Sequence, residues 1–216
     1  MRKNVMKLFM AALLIVAAMP FVNAQVQVGD ILCEGDRVVS PSDYDAASDA
    51  AIGVVFYVDG TGQHGWAVSL DNVGQCSWGN YDEDTKLDNV RSNFRAARDM
   101  DGYENTKTIL EENPDYPAFT AVDFENGWYL PAVGQMKCLY DNFNEVNETL
   151  EKVGGTIFER NGYTYWSSTE HDSDDAWYMC SIGGFGNTSD SFNDCKTSSR
   201  YVRGVKDFLI LHLHCL

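Results

Sequence analysis

Gly127-Trp128-Tyr129-Leu130-Pro131 is a short extended piece closed by a proline, and the character of the chain changes on either side of it. Downstream, Ala132 to Asn142 has Val133, Met136, Leu139, Tyr140 and Phe143 on one side, the spacing of an amphipathic helix. A further helical turn over Glu145 to Val153 stops at Gly154-Gly155. Upstream, Glu104 to Glu112 and Pro117 to Phe124 read as short helices separated by Asn113-Pro114-Asp115.

Further out, the pattern turns to strands. Residues 29 to 40 read as a small hairpin around Glu34-Gly35-Asp36. The β-branched and aromatic run Ile52 to Val58, the turn Asp59-Gly60-Thr61-Gly62 and the run Gly65 to Leu70 read as a second one. Residues 71 to 102 are polar and rich in Gly, Asp and Asn, a long loop in which Trp78 and Tyr81 are the expected anchors. At the other end, Tyr163 to Ser168, Ala176 to Ile182 and Arg200 to Asp207 are expected strands. Hairpins, then helices, then strands predict an α+β domain whose first and last strands pair.

The start of the chain predicts export. Arg2, Lys3 and Lys7 precede an apolar stretch from Leu8 to Met19, which Pro20 breaks. Val22-Asn23-Ala24 then supplies the small residues of a cleavage site, so residues 1–24 read as a signal peptide. Its apolar run is shorter than the ~20 residues that span a bilayer, and no second run of membrane length follows. Residues 25–216 are expected to form a single domain, with no membrane insertion after cleavage. The formal charge is −16, and loss of the three cations of the signal makes it −19. Such a surface repels phosphate backbones, which argues against a nucleic-acid partner.

Cys33, Cys76, Cys138, Cys180, Cys195 and Cys215 remain. Export permits disulfides, six cysteines allow 15 complete pairings, and no C-x-x-C occurs, so one or two bridges beside buried thiols are expected with connectivity open. His212 and His214 beside Cys215 make a poor metal site at a terminus. No Gly-x-Ser-x-Gly, H-E-x-x-H or P-loop is present, so no catalytic residue and no cofactor are assigned.

Four motifs follow one another in order: Gly127 to Pro131, Tyr165-Trp166-Ser167-Ser168-Thr169-Glu170, Ala176-Trp177, and Tyr201-Val202-Arg203-Gly204-Val205. Together, over residues 127–207, they resemble the bacterial C-type-lectin-like domains at the ends of collagen-like surface proteins. They are similar also to paralogous surface domains related to the formylglycine-generating enzyme fold. The resemblance implies a C-type-lectin-like fold, with small antiparallel sheets, flanking helices and a loop-rich region. Formylglycine-generating enzymes need a reactive cysteine pair; Cys180 and Cys195 lie in the right half of the chain, but the catalytic sequence around them is missing, so enzymatic activity is not expected. Tyr165 to Arg203 further resembles the variable region of diversity-generating retroelement target proteins, in which a lectin-like scaffold displays residues altered by adenine-directed mutagenesis.

The composition of residues 171 to 199 suits a displayed surface. Six Ser and five Asp are mixed with aromatics, and Leu, Val, Pro, Glu and Arg are absent. Small polar residues beside aromatics give contact area at low entropic cost. The expected ligand-binding residues are His171, Asp172, Ser173, Asp174, Asp175, Tyr178, Asn187, Ser189, Asp190, Phe192, Asn193, Asp194 and Tyr201. Trp128, Trp166 and Trp177 are expected in the core, and Arg203 is expected to pair with an inward carboxylate. Calcium on Asp172, Asp174, Asp175, Asn193 and Asp194 is set aside, because their spacing fits no strict loop and the animal lectin motifs are incomplete, so no metal is assigned. The functional expectation is a secreted or surface-exposed protein that binds an extracellular protein or glycan. The alternatives are a self-assembling fimbrial-type subunit and, behind it, an enzyme on the related fold.

Overall fold

The computed structural model describes residues 25–159, 163–180 and 191–210. The opening hairpin is formed by β1 (Ile31–Cys33) and β2 (Arg37–Val39), antiparallel across Glu34–Asp36. Gly35 there takes φ 72°, a left-handed conformation that glycine reaches without steric cost. β3 (Ala51–Val58) and β4 (His64–Ser69) form the second hairpin. Its turn is held by the Asp59 carboxylate, which accepts from the Thr61 and Gly62 amides at 2.9 and 3.1 Å.

The stretch from 71 to 102 is more structured than a loop, since it contains β5 (Gly74–Cys76) and the single turn α1 (Asn93–Ala96). Trp78 anchors it as expected, fully buried with Nε1 donating to Ser167 O at 2.7 Å. Tyr81 does not: it is 59% exposed. Next come α2 (Gly102–Glu112), α3 (Pro117–Thr120) and the two-residue β6 (Trp128–Tyr129). A 3₁₀ turn, Phe124–Asn126, replaces the end of the expected Pro117–Phe124 helix. α4 (Val133–Asp141) and α5 (Phe143–Val153) follow, and α5 ends on Gly154 at φ 77°. The chain closes with β7 (Thr164–Glu170), β8 (Asp175–Cys180), β9 (Ser191–Cys195), β10 (Arg200–Val202) and β11 (Val205–Leu209).

These strands form two sheets, so the class is α+β. One has the order β2-β1-β3-β4-β11-β6, antiparallel throughout; the other has the order β5-β10-β7-β8-β9, antiparallel except for β10 on β7. The first and last strands do not pair. β1 sits between β2 and β3, whereas β11 sits between β4 and β6 in the same sheet.

The expected strand Arg200–Asp207 is two strands in different sheets. Val202 and Val205 are both buried, yet residues three apart point to opposite faces of a continuous strand. The chain meets both demands by breaking at Arg203-Gly204 and crossing from one sheet to the other. Arg203 holds that crossing. Its guanidinium donates to Ser69 O at 3.0 and 2.8 Å, to Leu70 O at 2.7 Å and to Thr156 O at 2.7 Å, and lies 4.2 Å from the centre of the Phe158 ring. The expected carboxylate partner is thus replaced by three backbone carbonyls, and burial lowers the Arg203 pKa to about 10.

The largest core cluster joins both sheets through the helices. Val54, Phe56 and Val205 of one sheet and Tyr165 and Trp177 of the other meet Met136, Leu139 and Leu150 of α4 and α5. A second cluster gathers Trp78, Ile109, Tyr116, Phe119, Trp166 and Val202. Trp166 and Trp177 are therefore core, while Trp128 is half-buried at the edge of the second cluster. No two of Cys33, Cys76, Cys138, Cys180 and Cys195 form a disulfide. Cys180 and Cys195 stand on neighbouring strands but out of register: Cys195 faces Asp175, and Cys180 faces Thr164. Cys215, His212 and His214 lie outside the described residues, as do residues 1–24.

Candidate functional site: the two sides of the β8–β9 strand pair

β9 is the outer strand of the five-stranded sheet. Its register places Phe192 opposite Tyr178, Asn193 opposite Trp177 and Asp194 opposite Ala176. Side chains alternate across a strand, so the residues expected to share one binding face are divided between two.

On one side Tyr178, Phe192 and Asp194 gather around Arg200. The Arg200 guanidinium lies 3.3 Å from the centre of the Tyr178 ring and 5.1 Å from that of Trp166, and it pairs with the Asp194 carboxylate. Phe192 covers Tyr178 from outside, with ring centres 5.8 Å apart, and is itself 46% exposed. Burial works to raise the Asp194 carboxyl, but the Cys195 amide and hydrogen bonds from Ser198 and Arg200 outweigh it and hold the group below its ordinary pKa. Arg200 was not among the expected site residues. A cation against two aromatics is a signal that only the paired strands reveal, because Trp166 and Tyr178 stand on β7 and β8, whereas Arg200 opens β10.

On the other side stand His171, Asp172, Asp175 and Asn193. The His171 ring meets Trp177 edge-on at 5.3 Å. One Asp172 oxygen accepts from the amides of Asp174 and Asp175, each at 3.1 Å, and the other lies 3.0 Å from His171 Nδ1. Burial pushes the Asp172 carboxyl up, yet these two amides and His171 prevail and lower its pKa. Asp175 accepts from Asn193 Nδ2 at 2.8 Å. His171, Asp172 and Asp175 each offer a ligand atom within 4.8 Å of the others, so the turn could hold a cation. Their hydrogen bonds also give them a structural role, fixing the turn that starts β8.

Ser173 and Asp174 serve mainly through their backbone, where Ser173 O accepts from Glu83 N at 3.2 Å and Asp174 O from Lys196 N at 2.9 Å. Tyr201 is set apart from both groups: its ring meets Tyr163 and Tyr165 at 4.6 and 5.9 Å, on the face of β10 opposite Arg200. Asn187, Ser189 and Asp190 lie outside the described residues.

No family model and no curated protein matches the chain. Among solved structures, the fold is similar to that of a fimbrial protein from Bacteroides ovatus ATCC 8483, with a TM-score of 0.64 over 85% of this chain at 18% identity. The likeness covers 49% of that protein, so this chain spans about half its length. At that identity the likeness is one of fold.

Proposed function

We propose that this chain is an exported, surface-exposed subunit of fimbrial type, which works by binding and assembly and not by turnover. The observation that carries the reading is the shared fold with the Bacteroides ovatus fimbrial protein over most of this chain. The expected signal peptide at residues 1–24 supports it. So does the open outer edge of β9, whose described backbone pairs on one side only; such an edge is a template for another strand. The test is to follow the purified chain from Gln25 by light scattering and electron microscopy over a range of concentrations, and to label intact cells with antibody. Concentration-dependent assembly with surface labelling supports the subunit. A chain monomeric throughout and unlabelled on intact cells would refute it.

A second reading, a C-type-lectin-like adhesin whose face is diversified, draws on the division between inside and outside. Trp166, Trp177 and Arg203 are buried, whereas Phe192 and Asn193 are exposed. Substitutions confined to the exposed positions can therefore change a contact surface for an extracellular protein or glycan without disturbing the scaffold. Deep sequencing of the gene segment for residues 165 to 205 across a cell population tests it. Changes clustered outside Trp166, Trp177 and Arg203 support diversification, and a uniform segment removes it.

A further inference from the structure

A polar cleft of about 460 Å³ lies between the segment 86–90, α1, the start of α2 and the end of β7. Its volume falls in the range of small-molecule sites, roughly 300–1,000 Å³, but its lining is mostly charged. Lys86, Arg95 and Arg98 bring cations to it, and Asp88, Asp99, Asp101, Asn105 and Glu170 bring oxygens, the last already paired with Lys196.

The oxygen side is built firmly. Asp99 Oδ2 accepts from Thr169 Oγ1 at 2.7 Å and from Asn105 Nδ2 at 3.2 Å, while Oδ1 accepts from the Asp101 amide at 3.0 Å. The Asp99 carbonyl accepts from the Gly134 amide at 2.8 Å. That contact needs glycine, because a Cβ on residue 134 would come within 2.5 Å of the same oxygen. Asn105 Nδ2 is further fixed by Ser168 Oγ at 3.2 Å.

The cationic side is different. Among the described residues neither Arg95 nor Arg98 has a carboxylate partner, although aspartates line the same cleft and the chain as a whole is strongly acidic. Arg98 is instead laid on the Phe94 ring, 3.5 Å from its centre. Two planar guanidinium groups left without an anion suit a carboxylate, which they can bind through paired hydrogen bonds. The neighbouring carboxylates oppose a ligand of high negative charge but can accept from hydroxyl groups.

We propose that this cleft binds an acidic sugar, a uronic acid residue carrying one carboxylate, with Arg95 and Arg98 taking the carboxylate and Asp101 and Asn105 accepting ring hydroxyls. The site is independent of the assembly reading, since it requires no second copy of the chain.

The test is an NMR titration of the purified chain with glucuronate, with glucose and with inorganic phosphate, followed at the backbone amides of residues 86 to 105. The expected result is saturable shifts with glucuronate and none with glucose at the same concentration. An Arg95→Gln/Arg98→Gln variant is expected to weaken glucuronate by about tenfold or more, the loss of charge-assisted hydrogen bonds. Both side chains are on exposed residues, and an unchanged melting temperature verifies that the variant folds. Asp101→Ala, also at an exposed position, should weaken the sugar while leaving the melting temperature unchanged. Equal response to glucose, or equal response to phosphate, overturns the proposal, as does a folded arginine variant that binds glucuronate like its parent. Absence of any shift with glucuronate overturns it as well.

Discussion

Lys196 Nζ lies 2.5 Å from Glu170 Oε1, and both side chains are fully buried. The ammonium also donates to Glu83 O at 2.7 Å and stands 5.1 Å from the centre of the Trp78 ring, while Glu170 Oε2 accepts from Thr85 Oγ1 at 2.6 Å. The pair ties β7 and the segment after β9 to the chain around residue 85. Removing one member of a buried pair strands the other charge, at a cost of roughly 3–5 kcal/mol.

Lys196→Met is therefore expected to lower the melting temperature by on the order of 10 °C, at about 2–4 °C per kcal/mol for a chain of this size. Lys196→Met/Glu170→Leu should recover much of that loss, because no uncompensated charge remains. A double variant as unstable as the single one would show that packing around Lys196, and not its charge, is what matters.

Arg203 is expected to tolerate no conservative replacement. A lysine ammonium cannot reach three carbonyls spread from Ser69 to Thr156 as the planar guanidinium does. Arg203→Lys should cost about 2–3 kcal/mol in urea unfolding, the loss of one or two hydrogen bonds to a charged donor. A midpoint within error of the parent would contradict this account of the sheet crossing.

The β8–β9 residues should separate into two classes. Phe192→Ala and Asn193→Ala, at exposed positions, should change stability by less than about 1 kcal/mol. Asp172→Ala should cost more, about 1–3 kcal/mol, because two amides lose their acceptor. Thermal melts of the three variants check the order, and the reverse order would move Asp172 from the scaffold to the displayed surface.

Acid should loosen the same region. Asp172 and Asp194 have folded-state pKa values below the ordinary one, so their carboxylates add stability above the unfolded value of about 3.9. That contribution disappears as pH falls through the lower folded values. The melting temperature should fall below about pH 4, and Asp172→Asn/Asp194→Asn should make that fall shallower. Equal acid slopes in parent and variant would show that other carboxylates set the acid limit.

The readable parts of this fold were those whose causes are local. Asp59 and Gly62 specify the β3–β4 turn wherever they occur, and the stripe from Val133 to Tyr140 specifies α4 by its own spacing. β9 escaped because Ser191-Phe192-Asn193-Asp194-Cys195 lacks β-branched residues and becomes a strand only by pairing with β8. Val202 and Val205 read locally as one strand, whereas their odd spacing marks the crossing between sheets. The composition of residues 171 to 199 located a surface region, but it could not show that Tyr178 and Asn193 point to opposite sides, or that Asp172 spends its oxygens on the backbone. Register decides both, and register depends on residues far away in sequence.

β11 occupies an interior position, between β4 and β6. Synthesis delivers β4 and β6 first, and residues 205–209 then fill the position between them. While the chain is still being made, this sheet remains open, and β6 has no described strand partner other than β11. Completion of the sheet thus waits for synthesis of residues 205–209. Until residues 205–209 are made, the facing edges of β4 and β6 stay unpaired.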